Sequence, residues 1–517
     1  MSKVLKSTAT VGGMTLISRI FGYLRDVVIA IFFGASGATD AFFVAFRIPN
    51  FLRRLFAEGA FSQAFVPVFS EIKEQRGTTE LKDLVDHVTG SLGMVLVALT
   101  ALGILAAPLL IAVFAPGFIG ENSRFDLTVY MLRLTFPYLL FISLTAMAGG
   151  ILNAMGKFAV PAVTPVLLNF SLIGATLWLA PHMDPPITAL AVGVFIAGVV
   201  QLGFQLPSLY RLGLLPRPRF RAAHKGVRRV LRLMIPALFG TSVVQINLLF
   251  DTLIASFLTT GSISWLYFSD RFVELPLALF GIAIATVILP RLSRQHARNH
   301  AEKFSHTLDW AMRLALLVTV PAMMGLILLA GPILVTLIQY REFSYTDSQM
   351  ASMSLMAYAC GLPAFIMIKV LAPGFYSRQD TKTPVRIGII AMLVNMALNV
   401  ILVVPWVYFG FPGPHTGLAL ATAASAFVNA GLLLRHLLRK NIYTLQLGWS
   451  KFIRQILIAT VLLTLILVLL TPALSIWDQW GIMQRGLLLA GLICAAALVY
   501  LLSLFLLGIR PRQFLIR

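Results

Sequence analysis

Runs of about twenty apolar residues recur from one end of the chain to the other, and that is the length an α-helix needs to cross the hydrocarbon layer. They lie near residues 8–33, 40–69, 88–114, 127–152, 161–181, 187–210, 233–258, 264–290, 312–339, 349–373, 385–408, 416–434, 452–472 and 484–508. Within lipid, backbone N–H and C=O groups must be satisfied inside the protein, so separate spans of this kind fold as helices. The expected fold is an all-α polytopic membrane protein with about 14 transmembrane helices. Charged residues make up 12% of the chain and the mean hydropathy is +0.87. A soluble domain carries about 25% charged residues, so no soluble core fits this composition. The longest connection, residues 211–232, is too short to form a domain.

Lys and Arg number 41 against 20 acidic residues. These cations sit between apolar spans rather than on one patch, which argues against nucleic acid as a partner. If the N-terminus is placed in the cytoplasm, thirty of the 41 cations fall in cytoplasmic segments, and only Arg124, Arg341 and Arg485 fall outside. Such a bias sets orientation, and both termini are expected in the cytoplasm. Lys3 and Lys6 precede an apolar stretch that Arg19 and Arg25 interrupt, with no clear small-residue cleavage site. It reads as a first membrane helix that is retained.

A weak internal repeat divides the chain. The stretch from Gly37 (GATDAFFVAFRIPN) aligns with that from Gly261 (GSISWLYFSDRFVE), placing Arg47 on Arg271. The same shift, within two residues, places Phe136-Pro137 on Leu362-Pro363, Gly150 on Gly374 and Asn169 on Asn395. Six spans separate the copies, so both enter the membrane from the same side. The expected architecture is two parallel six-helix lobes plus two C-terminal helices. Residues 1–210 form the N-terminal lobe, 211–232 a basic cytoplasmic linker, 233–434 the C-terminal lobe and 452–508 the last two helices. Paired repeats of this kind are a transporter plan, with the substrate site expected where they meet.

No catalytic signature accompanies this plan, and the chain does not read as an enzyme. The segment from Gly150 (GILNAMGK) has the wrong glycine spacing for a phosphate loop, and Phe158 stands where Ser or Thr is needed. His296 and His300 share a helical face in a basic loop but have no Glu between them, as a solvated helix would. Cys360 and Cys494 sit in apolar runs and suggest neither a disulfide nor a metal site. Neither a metal nor a cofactor is implied.

The informative residues are charges inside the spans. An arginine at the centre of a membrane helix costs about 2.5–3.5 kcal/mol on insertion scales, so such residues normally face water, a partner or a ligand. The first two spans hold Arg19, Arg25, Asp26, Asp40, Arg47, Arg53, Arg54 and Glu58; the eighth holds Asp270, Arg271 and Glu274. They could tie helices together as ion pairs. Alternatively, converging arginines would line a hydrated cavity for a phosphate or pyrophosphate, whose oxygens match the planar guanidinium fork.

Two long runs carry a resemblance: ATDAFFVAFRIPNFLRRLFAEGAFSQAFVPVFSE from Ala38 and KVLAPGFYSRQDTKTPV from Lys369. Both are similar to the MurJ (MviN) family, within the multidrug/oligosaccharidyl-lipid/polysaccharide exporter superfamily, and the likeness extends over essentially the whole chain. The resemblance implies a lipid II flippase of the bacterial inner membrane. Such a protein moves undecaprenyl-pyrophosphate-linked disaccharide pentapeptide to the outer leaflet for peptidoglycan synthesis. It also implies that Arg19, Arg25, Asp40, Arg53, Asp270, Arg271 and Glu274 serve the substrate, and that the last two helices form a groove for the lipid tail. Asp251 falls outside that pattern. Lipid II and membrane lipids are then the expected partners. A cation-coupled drug exporter, or an exporter of another polyprenyl-linked saccharide, is the alternative within the superfamily. The excess of arginine over acid in the first two spans disfavours cationic drugs. A membrane enzyme acting on polyprenyl phosphates would need more carboxylates than Asp270 and Glu274 supply.

Overall fold

A computed structural model describes residues 3–55, 61–75, 77–220 and 224–510. Glu58, Arg76, Arg221, Arg512 and Arg517 lie outside the described residues. Among the described residues the chain is helical and contains no strand.

The chain forms two compact units, Met1–Gly261 and Ser262–Arg517. The first contains α1 (Lys3–Phe33), α2 (Gly37–Arg53), α3 (Ser62–Gln75), α4 (Gly77–Leu105), α5 (Ala107–Phe114), α6 (Asn122–Thr135), α7 (Tyr138–Ala154), α8 (Ala159–Gly174), α9 (Thr188–Arg211) and α10 (Lys225–Ser256). The second contains α11 (Ser262–Pro276), α12 (Ala283–Ala297), α13 (Ala301–Leu328), α14 (Ala330–Leu337), α15 (Tyr345–Cys360), α16 (Leu362–Tyr376), α17 (Lys382–Tyr408), α18 (His415–Arg439), α19 (Trp449–Leu470), α20 (Leu474–Gln479) and α21 (Ile482–Leu506). Eleven helical stretches among the described residues are long and apolar enough to span a membrane. The three expected spans outside that set coincide with α1, with α2 and α3, and with α10. Two of these carry the intramembrane charges of the first lobe, and α10 begins in the basic segment KGVRR.

The repeat seen in sequence recurs as a packing scheme inside each unit. In the first, α2 packs on α6, α7 on α9, α8 on α9, and α3 on both α4 and α7. In the second, α11 packs on α15, α16 on α18, α17 on α18, and α12 on both α13 and α16. Lipid supplies no hydrophobic drive between helices, so close van der Waals fit has to do the joining. At Gly103 a Cβ would lie 2.0 Å from the Phe136 ring, so α4 admits that ring only because the position has no side chain. The last two long helices pair with each other, α19 on α21, while α13 contacts α19.

The compact boundary falls one helix later than the division read from the sequence. The linker and α10 pack with the first unit, α10 lying on α3 and α4. Physical ties explain this. The Arg217 backbone N–H donates to Asp86 Oδ1 at 2.7 Å and the Arg219 N–H to the Asp86 carbonyl at 3.0 Å. Leu214, Val227 and Val230 are buried in one cluster with Phe65, Leu84 and Ile151. A Cβ at Gly90 would stand 2.2 Å from the Arg219 carbonyl oxygen, so the linker lies directly on bare α4 backbone. The basic linker is a strap docked on α4 rather than a free tether.

Candidate functional site

The intramembrane charges of the first unit belong to separate local arrangements rather than to one cluster. Arg19 is exposed on α1, and no hydrogen bond or ion pair reaches it from the described residues. Arg25 lies almost two turns further on, with its side chain only 11% exposed. Its Nε and Nη2 donate to Asp26 Oδ1 at 2.9 and 2.6 Å, and its Nη1 donates to Asn169 Oδ1 at 3.1 Å. Asn169 on α8 also donates through Nδ2 to the Ser18 carbonyl at 3.1 Å. One amide side chain therefore holds both the backbone of α1 and the arginine that α1 carries. Asn169 entered the sequence reading only as the repeat mate of Asn395, because a lone asparagine in an apolar run signals no partner.

Asp40 opens α2 and is fully buried, with a relative exposure of 0%. Its Oδ2 accepts from Arg124 Nη2 at 2.7 Å and from the Gly261 backbone N–H at 2.7 Å. Arg124, one of the three cations assigned outside the cytoplasm, is 7% exposed, and its guanidinium lies 3.9 Å over the Phe118 ring. Asp40 is thus an anchor of α2 against α6, placed away from any open surface. Thr135 extends the same contact by donating to the Ala45 carbonyl at 3.3 Å. Arg53 is half-buried at the end of α2, where its Nε donates to Asn50 Oδ1 at 2.9 Å. Arg47 donates to Thr252 Oγ1 on α10.

In the second unit Asp270, Arg271 and Glu274 lie together on α11. Arg271 Nη1 donates to Glu274 Oε2 at 2.5 Å, and its guanidinium lies 4.7 Å over the Tyr267 ring. Arg271, Glu274 and Asp270 are all partly exposed. Two ties to α15 fix the rotation of α11: Trp265 Nε1 donates to Asp347 Oδ1 at 2.9 Å, and Ser269 Oγ donates to the Ala351 carbonyl at 2.7 Å. Ser269 also bonds the Trp265 carbonyl at 2.6 Å. Locking that helix face determines where Arg271 points.

The expected site residues therefore divide by environment. Arg19 and Arg271 retain exposed surface, Arg25 and Arg53 are held by neighbouring side chains, and Asp40 is enclosed. Among the described residues, each unit by itself presents an exposed or partly exposed arginine.

Comparison with known proteins decides the family. The signature described as "Lipid II flippase MurJ" matches residues 29–491. A protein of Vibrio cholerae described as a probable lipid II flippase MurJ is 48% identical over 99% of this chain and 97% of its own length. The chain belongs to the MurJ family. The Burkholderia cenocepacia lipid II flippase MurJ is 42% identical over 89% of each chain. A solved structure of a lipid II flippase MurJ, in an inward closed conformation, matches with a TM-score of 0.78 at 28% identity, covering 95% of this chain and 97% of that one. An inward-facing MATE multidrug transporter of the MOP superfamily shares the fold at a TM-score of 0.65 and 14% identity, over 84% of this chain and 98% of its own. Membership makes this a multi-pass inner-membrane transporter and not a member of an enzyme family. Asn169, Arg124 and the group Asp83, His87 and His224 are polar residues to which the sequence assigns no role.

Proposed function

We propose that this chain moves lipid II from the inner to the outer leaflet by alternating access of its two halves, with no chemical step. The observation that carries the reading is the 48% identity to a probable lipid II flippase over 99% of the chain. The distribution of charge supports it: arginines outnumber acids in the first spans, and Arg19 and Arg271 keep exposed surface for an anion. In this reading Arg19, Arg25 and Arg271 meet the pyrophosphate, while Arg53, Asp270 and Glu274 shape the surface that receives it. Arg25 would exchange part of its tie to Asp26 for phosphate oxygens, and Asn169 would keep its guanidinium in place. Asp40 supports the first half from within. Both termini lie in the cytoplasm, and the last two helices take the lipid tail. A membrane potential, negative inside, favours outward movement of an anion by about 2.3 kcal/mol per charge per 100 mV.

The test is flipping of fluorescent lipid II in vesicles containing the purified chain, with and without an imposed potential. Wild-type chain should expose lipid II on the far leaflet, and Arg271→Ala should not, at equal amounts of folded protein. Transport of a cationic drug in place of lipid II, or unchanged flipping in both Arg19→Ala and Arg271→Ala, would overturn the reading.

A further inference from the structure

Three titratable side chains converge at the cytoplasmic end of the first unit, away from the intramembrane arginines. Asp83 and His87 are four residues apart on α4, so they share one face of that helix. His224 arrives from the linker, at the position that begins α10. Asp83 Oδ2 lies 3.0 Å from His224 Nε2, and Asp83 Oδ1 lies 3.2 Å from His87 Nδ1. The two imidazoles stack with centroids 4.5 Å apart and planes 2° apart. One donor atom from each of the three residues falls within 4.8 Å of the others.

We propose that Asp83, His87 and His224 form a binding site for a single divalent transition-metal ion of the zinc class. The donor set is the first reason. Imidazole nitrogen with one carboxylate suits zinc and its neighbours, whereas calcium and magnesium call for all-oxygen sets. The distances are the second. Bonds of about 2.1 Å to a tetrahedral ion place donors about 3.4 Å apart. The separation between Asp83 Oδ2 and His224 Nε2 is already that short, while the stacked His87 ring would have to turn to present its free nitrogen to the same ion.

The surroundings are the third reason. Neighbouring groups leave the Asp83 carboxylate to the imidazoles: Lys82 is bound to Asp86, and Asp86 also accepts the Arg217 N–H at 2.7 Å. His87 Nδ1 donates to the Asp83 carbonyl at 2.9 Å, which orients that ring on α4 and leaves Nε2 as its nitrogen with a free lone pair. His224 Nδ1 is buried beside Gly226 with no hydrogen-bond partner among the described residues, so the ring's polar tie is to Asp83. A cleft of 560 Å³ lined by Thr79, Lys82, Asp83, Arg217 and Arg219 opens beside the Asp83 side chain. Three protein donors leave a fourth position, which water can fill from that cleft. The ion would cross-link α4 to the N-cap of α10, joining Asp83 to a residue 141 positions later. It would thereby fix the linker strap that the Asp86 contacts already dock.

The experiment uses the full chain, purified in detergent without a polyhistidine tag and stripped of metal. Co²⁺ is added as a spectroscopic probe and Zn²⁺ is used to compete. The expected result is one Co²⁺ per chain, with visible bands of a nitrogen- and oxygen-ligated ion, displaced by Zn²⁺. His224→Gln and His87→Gln should each weaken binding at least tenfold, and His296→Gln with His300→Gln should not change it. Zn²⁺ should raise the melting temperature of the wild-type chain and leave that of His224→Gln unchanged, a readout independent of how stable each variant is without metal. The proposal is overturned if no saturable binding occurs below millimolar metal. It is equally overturned if binding survives in His87→Gln/His224→Gln, or if a thiolate charge-transfer band assigns the ion to Cys360 or Cys494.

Discussion

Replacing Asp40 with Asn separates an anchoring role from a transport role, and the structure gives the size of the effect. The carboxylate is fully buried and joins Arg124 Nη2 and the Gly261 N–H at 2.7 Å each. Asn keeps the shape and one acceptor oxygen, so the Gly261 bond can persist, but Arg124 loses its counter-charge. Removing one partner of a buried ion pair costs about 3–5 kcal/mol. Two contacts that the unmutated chain also makes keep the remaining charge from being wholly uncompensated, which places the cost around the lower end of that range. The Phe118 face keeps its cation–π contact, worth about 1–2 kcal/mol where water is excluded. Glu121 approaches Arg124 Nη1 at 3.5 Å but is 56% exposed and offers less than about 1 kcal/mol. The net loss expected for Asp40→Asn is about 2–4 kcal/mol, which at 1.4 kcal/mol per decade is roughly a 30- to 700-fold shift toward unfolded chain. Melting temperature in detergent and abundance in membranes should both fall. Arg124→Gln should do the same, and Asp40→Asn/Arg124→Gln should recover part of the loss, because no uncompensated charge remains. A normal melting temperature for Asp40→Asn, together with lost flipping, would refute this reasoning and return Asp40 to the substrate.

Other contacts give further expected outcomes. Asn169→Ala should remove the tie of Arg25 to α8 and the bond to the Ser18 carbonyl, reducing flipping more than tenfold while abundance falls by less than half, as judged by vesicle assay and immunoblot. Lys in place of Arg271 should restore only part of the activity lost in Arg271→Ala, since it keeps the charge and loses the fork. Gly90→Ala should drive a methyl group into the Arg219 backbone and lift the linker from α4, seen as faster protease cleavage in residues 211–232 at unchanged membrane insertion. Asp380, in the turn before α17, has its carboxyl held below the ordinary carboxylate range, first by the Thr383 backbone N–H at 3.0 Å and also by the Thr383 hydroxyl at 2.7 Å. Its contribution should be complete from neutral pH down to about pH 4, the unfolded value, and disappear as pH falls through the lower folded value. The melting-temperature gap between wild type and Asp380→Asn should therefore be constant above pH 4 and close below it.

The sequence by itself determined the class, the many-helix membrane plan, the repeat and the family. The family follows from resemblance to known sequences. The class and the spans follow from composition and periodicity, since lipid admits only segments that satisfy their own backbone and such segments are written continuously along the chain. Arg271 and Glu274 were legible for the same reason, since neighbours on one helix are neighbours in sequence. The Asp40–Arg124 pair was not, because 84 residues separate its members and a cation beside a loop reads as a surface charge. The Asp83–His87 spacing was visible, yet its meaning depended on His224 arriving from the linker, 141 residues after Asp83. Nor could spacing tell that the linker docks on Gly90 and takes α10 with it into the first unit. Tertiary packing alone decided which charges are enclosed and which remain open, since burial depends on what other segments cover a residue and not on its own neighbours in the chain.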